Sequence, residues 1–176
     1  MKIEPIEKNE RFSWLHRSQT FLGKTQIEEY RRRYLWHGFF LFFLGCIIPC
    51  SINIYTNPRA ALSAHSLGLM LGTFFISLGV AVPYIQFSRW SAKVTLWLLV
   101  VSAYIGLSIQ FMAATFGLTR SFLITAKGFP GGPFWMEVSV DIAAKLISVF
   151  TLLACVIILF GLRRTNADSL SASSEN

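Results

Sequence analysis

Acidic residues are scarce in this chain, and so is cysteine. Nine Asp and Glu stand against sixteen Lys and Arg, and three cysteines are spread over 176 residues. Cys46 and Cys50 lie a turn apart in one apolar stretch and Cys155 lies in another, without the paired spacing of a zinc site. The expectation is buried structural thiols. A phosphate loop of the Gly-x-x-x-x-Gly-Lys kind is missing, as are a dinucleotide glycine fingerprint and any zinc-spaced Cys or His set. Those absences exclude the commonest soluble nucleotide and zinc enzymes. Glu137 and Asp141 lie too near the membrane interface, and are too readily paired, to form a glycosidase-like dyad. Charge of either sign is sparse: 14% of residues are charged, against 53% hydrophobic and 15% aromatic, too little polar surface to cover a soluble globule of this length. The first 34 residues are charged throughout and contain no apolar run, so no signal peptide is expected there.

What is abundant is long apolar sequence. Crossing a hydrocarbon core as a helix takes about 20 apolar residues, and four stretches exceed that: Leu35 to Tyr55, Ala61 to Ile85, Val94 to Leu118, and Trp135 to Leu162, the last uninterrupted from Leu146. Tyr34, Trp36, Tyr55, Tyr84, Trp90 and Trp135 mark their ends as interfacial aromatics do. The sequence therefore predicts an all-α protein, a four-helix transmembrane up-and-down bundle in the lipid bilayer. Arg31, Arg32 and Arg33 precede the first span, Arg89 and Lys93 separate the second from the third, and Arg163 and Arg164 follow the fourth. The other side carries only Arg59, Arg120 and Lys127, so both termini are expected in the cytoplasm, the bacterial inner membrane being the expected location. The net charge of +7 is then a topology signal. No nucleic acid partner is expected, because the basic residues are dispersed and form no recognisable binding module.

Three segments follow: a charged cytoplasmic extension, residues 1–34; a membrane domain, 35–164; and a tail, 165–176, rich in Ser, Ala and Asn and expected to be disordered. The extension carries Phe12, Trp14 and Phe21 among its charges, and has two readings, a partly ordered tail or an amphipathic helix on an anionic leaflet.

His65 stands near the start of the second span, where an imidazole must find a partner, a metal among the options. At helical spacing it shares a face with Gly68, Leu69, Gly72, Ile76 and Gly79. The flattened stripe has two readings: a surface for close helix approach, or a wall for a planar ring whose iron His65 would ligate, as a neutral imidazole commonly does for haem. His37 begins the first span, roughly 20 Å or more from His65 by helical rise, so one chain would not clamp an iron between both rings. A sixth iron position left open is the condition for Lewis-acid chemistry. Arg59, outside the second span, is either an interfacial arginine or a partner for haem propionates. Asp141 and Lys145, one turn apart, are expected to pair. The Gly128-Phe129-Pro130-Gly131-Gly132-Pro133 segment is a punctuated loop on the His65 side, a connector or a lid.

The run Trp36-His37-Gly38-Phe39-Phe40-Leu41-Phe42-Phe43-Leu44-Gly45, then Asn57-Pro58-Arg59 and Leu62-Ser63-Ala64-His65, with Gly161-Leu162-Arg163 near the end, resembles hydroxylaminobenzene mutase and, more distantly, styrene oxide isomerase. These are small bacterial four-span membrane proteins that isomerise aromatic compounds, and the resemblance covers about residues 34–164. It implies a homotrimer binding haem b through His65; Gly68 and Gly72 of the stripe and Arg59 would then stand around the cofactor on the second of the readings given for each above. It also implies a small aromatic substrate, an arylhydroxylamine converted to an aminophenol or an epoxide converted to an aldehyde at ferric iron. The chain departs from the family at its polar contacts. Leu71 stands where the family has asparagine, Leu67 where the mutase has an acidic residue, and Gln110 where the isomerase has its active-site tyrosine. Ser63, Ser66, Tyr104, Ser108 and Gln110 are the polar replacements available; Gln110 is favoured by alignment, Tyr104 is the general-acid alternative, and each has the plain reading of an interhelical hydrogen bond. Either the substrate differs or the protein is a non-catalytic haem-binding or structural member of the fold.

Overall fold

The computed structural model describes residues 22–173. Four helices, each long and apolar enough to cross a membrane, run up and down, and no strand occurs among the described residues. Helix α1 spans Lys24–Ile47 and continues as a 3-10 segment, Ile48–Ile54. Helix α2 spans Pro58–Ala81, followed by a 3-10 turn at Val82–Tyr84. Helices α3, Arg89–Phe116, and α4, Phe134–Ser173, complete the bundle.

The element ends have local causes. Pro49 and Pro83 lack an N–H, so the α-helical ladder tightens into 3-10 geometry at each. Asn57 caps α2: its Oδ1 accepts from the N–H groups of Arg59 and Ala60, both at 3.1 Å, with Pro58 in the first turn. Ser88 caps α3 through its hydroxyl, and α3 stops at Gly117, whose φ of 66° is left-handed.

Helix α1 starts at Lys24, well before the apolar run at Leu35, so the charged stretch and the first span share one helix. Arg31 with Glu28 and Arg33 with Glu29 form ion pairs on that exposed first part. The segment carrying Phe12, Trp14 and Phe21 lies outside the described residues. At the other end the backbone of α4 is helical through Ser173. The thiols are also not where buried structural cysteines would be. Cys46 and Cys50 are exposed and Cys155 is half-buried.

The tightest contact in the bundle is the seam between α1 and α2. A Cβ on Gly68 would stand 2.7 Å from the Cα of Gly45, and one on Gly72 would stand 2.7 Å from the Cβ of Phe42 and 2.8 Å from the carbonyl oxygen of Gly38. The backbones touch because these residues have no side chain, which brings dispersion contacts along the whole seam. Tyr34, Leu41 and Phe75 fill in beside it, each essentially buried. Helix α4 is the opposite case, with Leu146, Val149, Leu152, Leu153, Leu159 and Phe160 all at least half exposed. Such an apolar surface requires lipid or a protein partner.

Candidate functional site

His65 projects from α2 toward α1, half-buried, with Nδ1 2.9 Å from the carbonyl oxygen of Gly45. A carbonyl oxygen only accepts, so Nδ1 carries the proton and the lone pair is on Nε2. An imidazole anchored in this way has a fixed tautomer and a fixed ring plane, the usual arrangement behind a metal-ligating histidine. Gly45 makes it possible, because its missing side chain lets α2 come near enough for the carbonyl to be reached. Among the described residues no group of three or more His, Cys, Asp and Glu converges on one point.

The glycine face itself serves a different purpose from a cofactor wall. Gly68 and Gly72, expected to line a haem, are buried against α1, and a Cβ on either would meet that helix at 2.7 Å. Their place beside a ring is corrected to close helix packing. Arg59 is exposed in the first turn of α2 and makes no ion pair with any described residue.

His37 belongs to a separate cluster. Its Nδ1 lies 3.0 Å from the Tyr104 hydroxyl, and Trp36 and Phe40 pack around the pair, with Trp36 edge-on to the imidazole at 5.0 Å. His37 precedes Gly45, the residue that anchors His65, by eight positions on α1, about 12 Å of helical rise. Two axial ligands of one iron must both touch it, so the two histidines do not share a metal. The Tyr104 hydroxyl, a candidate general acid, is thereby held toward α1 and away from His65. Gln110 lies about 120° round α3 from Tyr104, is half-buried, and has no hydrogen-bond partner among the described residues.

Leu67 and Leu71 point the other way from His65. Leu67 follows His65 by two residues, about 160° round the helix, and lines a cavity of about 420 Å³ between α2, α3 and α4. Leu71, Phe74 and Phe75 of α2, Leu99, Ser102, Ala103 and Gly106 of α3, and Ile147, Thr151 and Cys155 of α4 share its wall. Gln110 follows Gly106 by one turn on the same face of α3. Of the positions at which polar substrate contacts were expected, Leu67 and Leu71 line this cavity, and Gln110 stands one turn beyond Gly106, outside its lining. Ser63 and Ser66 are not in its lining, and Ser108 lines a smaller cavity, about 320 Å³, between α1 and α3.

Two polar residues tie together the end of the bundle at which the 117–133 loop joins α3 to α4. The Glu137 side chain, 7% exposed, accepts the N–H groups of Thr119 at 2.8 Å, Arg120 at 2.9 Å and Gly132 at 3.0 Å. A buried carboxylate with three N–H donors is well satisfied without a cation. It closes the loop 117–133 onto the start of α4, so the Gly128–Pro133 segment is a braced connector. Asn57, fully buried, donates through Nδ2 to the carbonyl of Thr125 at 3.2 Å, and its own N–H donates to the carbonyl of Ala114 at 2.9 Å. The signal for Glu137 was the glycine pair before it; the signal for Asn57 was the Asn-Pro step. Asp141 pairs with Lys145 at 2.8 Å, as expected.

The sequence model of the styrene oxide isomerase family matches residues 30–163. The chain belongs to that family. Among curated proteins it is 28% identical to hydroxylaminobenzene mutase HabB of Ectopseudomonas oleovorans over 148 residues, 82% of this chain and 90% of the relative. It is 29% identical to HabA, a hydroxylaminobenzene mutase of the same organism, over 92 residues, 52% of this chain and 67% of the relative. No solved structure matches it. The family match takes in all four spans and begins inside α1, after the exposed Glu28 and Glu29. Both HabB and the family place their likeness on the helices that carry His65, the cavity and the Glu137 loop.

Proposed function

We propose that this protein is an integral-membrane isomerase of small aromatic compounds, holding haem b through His65 in a homotrimer. The observation that carries this reading is the His65 imidazole, fixed by the Gly45 carbonyl so that Nε2 is the lone-pair nitrogen. The family match and the hydroxylaminobenzene mutase relatives support an isomerase or mutase. The reaction moves a hydroxyl from the nitrogen of an arylhydroxylamine to a ring carbon, or opens an epoxide to an aldehyde. In either case the product has the formula of the substrate, and no electron donor is required. Ferric haem, when bound, supplies a Lewis-acidic iron for an N–O or C–O oxygen.

The chain's own residues do the positioning. His65 holds the cofactor from α2, and Arg59, uncompensated at the outer end of the same helix, is available to its propionates. Gln110 offers an unpaired amide to an oxygen or nitrogen of the substrate, and the apolar cavity receives its ring. Because His65 and the cavity lie on opposite faces of α2, one protomer does not present both to the same small molecule. A site assembled from the His65 face of one copy and the cavity face of the next makes a heterologous contact, which closes as a ring. Termini in the cytoplasm and a bacterial inner membrane agree with the arginines at the ends of α1 and α4.

Leu67 and Leu71 on the cavity wall favour a second reading, a haem-binding member of the fold without turnover. One assay separates the two. Haem-loaded protein is incubated with phenylhydroxylamine and with styrene oxide, without reductant or nucleotide. Aminophenol or phenylacetaldehyde that disappears in His65→Ala supports the isomerase; no product from either substrate favours the second reading.

A further inference from the structure

The glycines of this bundle fall into two kinds. Those of the α1–α2 seam have backbone where a side chain would be, whereas a Cβ on Gly106 would meet nothing within 4 Å. Gly106 lies on the wall of the large cavity, half-buried in the middle of α3. A glycine inside a helix costs stability relative to alanine, and no close approach of a neighbour explains it here. What its missing side chain provides is empty space facing Leu67, Leu71, Ile147 and Thr151.

The size and chemistry of that space limit what can fill it. A dry cavity of roughly 150 Å³ accommodates benzene, and this one, about 420 Å³ and open on one side, has room beyond a single ring. A fused two-ring aromatic fits it better. The lining is apolar apart from Ser102, Thr151 and Cys155, and the Ser102 hydroxyl is already donated to the carbonyl of Leu98 at 2.6 Å. No cation lines the wall, so a carboxylate or sulfonate would enter with nothing to balance its charge.

We propose that the cavity between α2, α3 and α4 is a pocket for a neutral, two-ring aromatic compound, with Gly106 as the residue that sets its size limit. The proposal deepens the isomerase reading by naming the substrate class, and it rests on that reading in taking the cavity as the site of the substrate's ring. The compound reaches it sideways from the bilayer, into which a neutral fused aromatic partitions.

Binding tests this without turnover. The full-length protein as purified, in lipid nanodiscs, is titrated with 1-naphthol, phenol and 1-naphthoate, with protein-free nanodiscs as the partition control. Saturable 1-naphthol binding is expected, with 1-naphthoate at least about tenfold weaker. Gly106→Leu should weaken 1-naphthol by about tenfold or more and leave phenol within about twofold, because leucine fills the space a second ring needs. Leu71→Phe, filling the cavity from α2, is the second variant and should give the same loss. Circular dichroism establishes that each variant is folded. The proposal is overturned if 1-naphthol shows no saturable binding above the control, if 1-naphthoate binds as tightly, or if folded Gly106→Leu and Leu71→Phe both bind 1-naphthol as the parent does. Binding as expected without isomerisation would remove the isomerase reading and leave the pocket. Isomerisation lost in His65→Ala, with 1-naphthol binding unaffected by either filling variant, would do the reverse.

Discussion

The two sides of α2 are built on opposite principles. Toward α1 the helix is zipped along its length by Gly45, Gly68, Gly72 and Gly38, with backbone against backbone. Toward α3 and α4 it faces a cavity, and that side is closed at its ends. Asn57 and Glu137 hold the end at the 117–133 loop through hydrogen bonds to Ala114, Thr125, Thr119, Arg120 and Gly132. At the other end the Gln86 N–H donates to the carbonyl of Gly161 at 3.2 Å, where a Cβ on Gly161 would run into Ile85. The difference teaches that the same helix provides both a rigid mount and an open pocket. The rigid side positions an imidazole, and the open side leaves room for a ring.

Breaking the zipped side should have the largest effect. Gly68→Leu forces a side chain into Gly45 and should destabilise the fold by more than about 3 kcal/mol, seen as loss of monodisperse protein or a large drop in melting temperature. If Gly68→Leu were tolerated, the seam would not be the rigid half of the comparison. Removing the end clamps of the open side should come next. Glu137→Ala leaves three part-buried N–H groups without their acceptor, for about 1 to 3 kcal/mol, and hydrogen exchange should quicken in residues 117–133 before it quickens in α1. Asn57→Ala loses a helix cap and the side-chain bond to the Thr125 carbonyl, at about 2 kcal/mol, measured as a lower thermal midpoint. The smallest effect sharpens the contrast by its sign: Gly106→Ala should stabilise by about 0.5 to 1 kcal/mol, because no neighbour is there to be displaced. A destabilising Gly106→Ala would mean the open side is packed after all.

Much of this arrangement was legible in the chain. Apolar length gave the four helices, and Pro49 and Pro83 marked where two of them tighten, although hydropathy alone carried both spans through without a break. The glycine stripe below His65 was visible, but a stripe of small residues reads equally as a ring's wall or a helix's seat; only the position of α1 decides for the seat. The start of α1 at Lys24 was hidden because helix propensity and ion pairs, not apolarity, extend it beyond the membrane stretch. Glu137 was hidden for a related reason. A sequence shows a carboxylate near an interface, while the backbone donors that satisfy it come from residues brought back by the loop. The separation of His65 from Leu67 and Leu71 on opposite faces was implicit in helical spacing, and becomes informative only once α1 and α3 are seen on either side.

His65, with its Nδ1 on the Gly45 carbonyl, is the proposed metal ligand, whereas His37, with its Nδ1 on the Tyr104 hydroxyl, packs in an aromatic cluster. The visible absorption spectrum of protein purified from haem-sufficient cells compares the two most directly. The account predicts a Soret band in the parent protein and in His37→Ala that is absent from His65→Ala. No Soret band in the parent, or one that persists in His65→Ala, would contradict it.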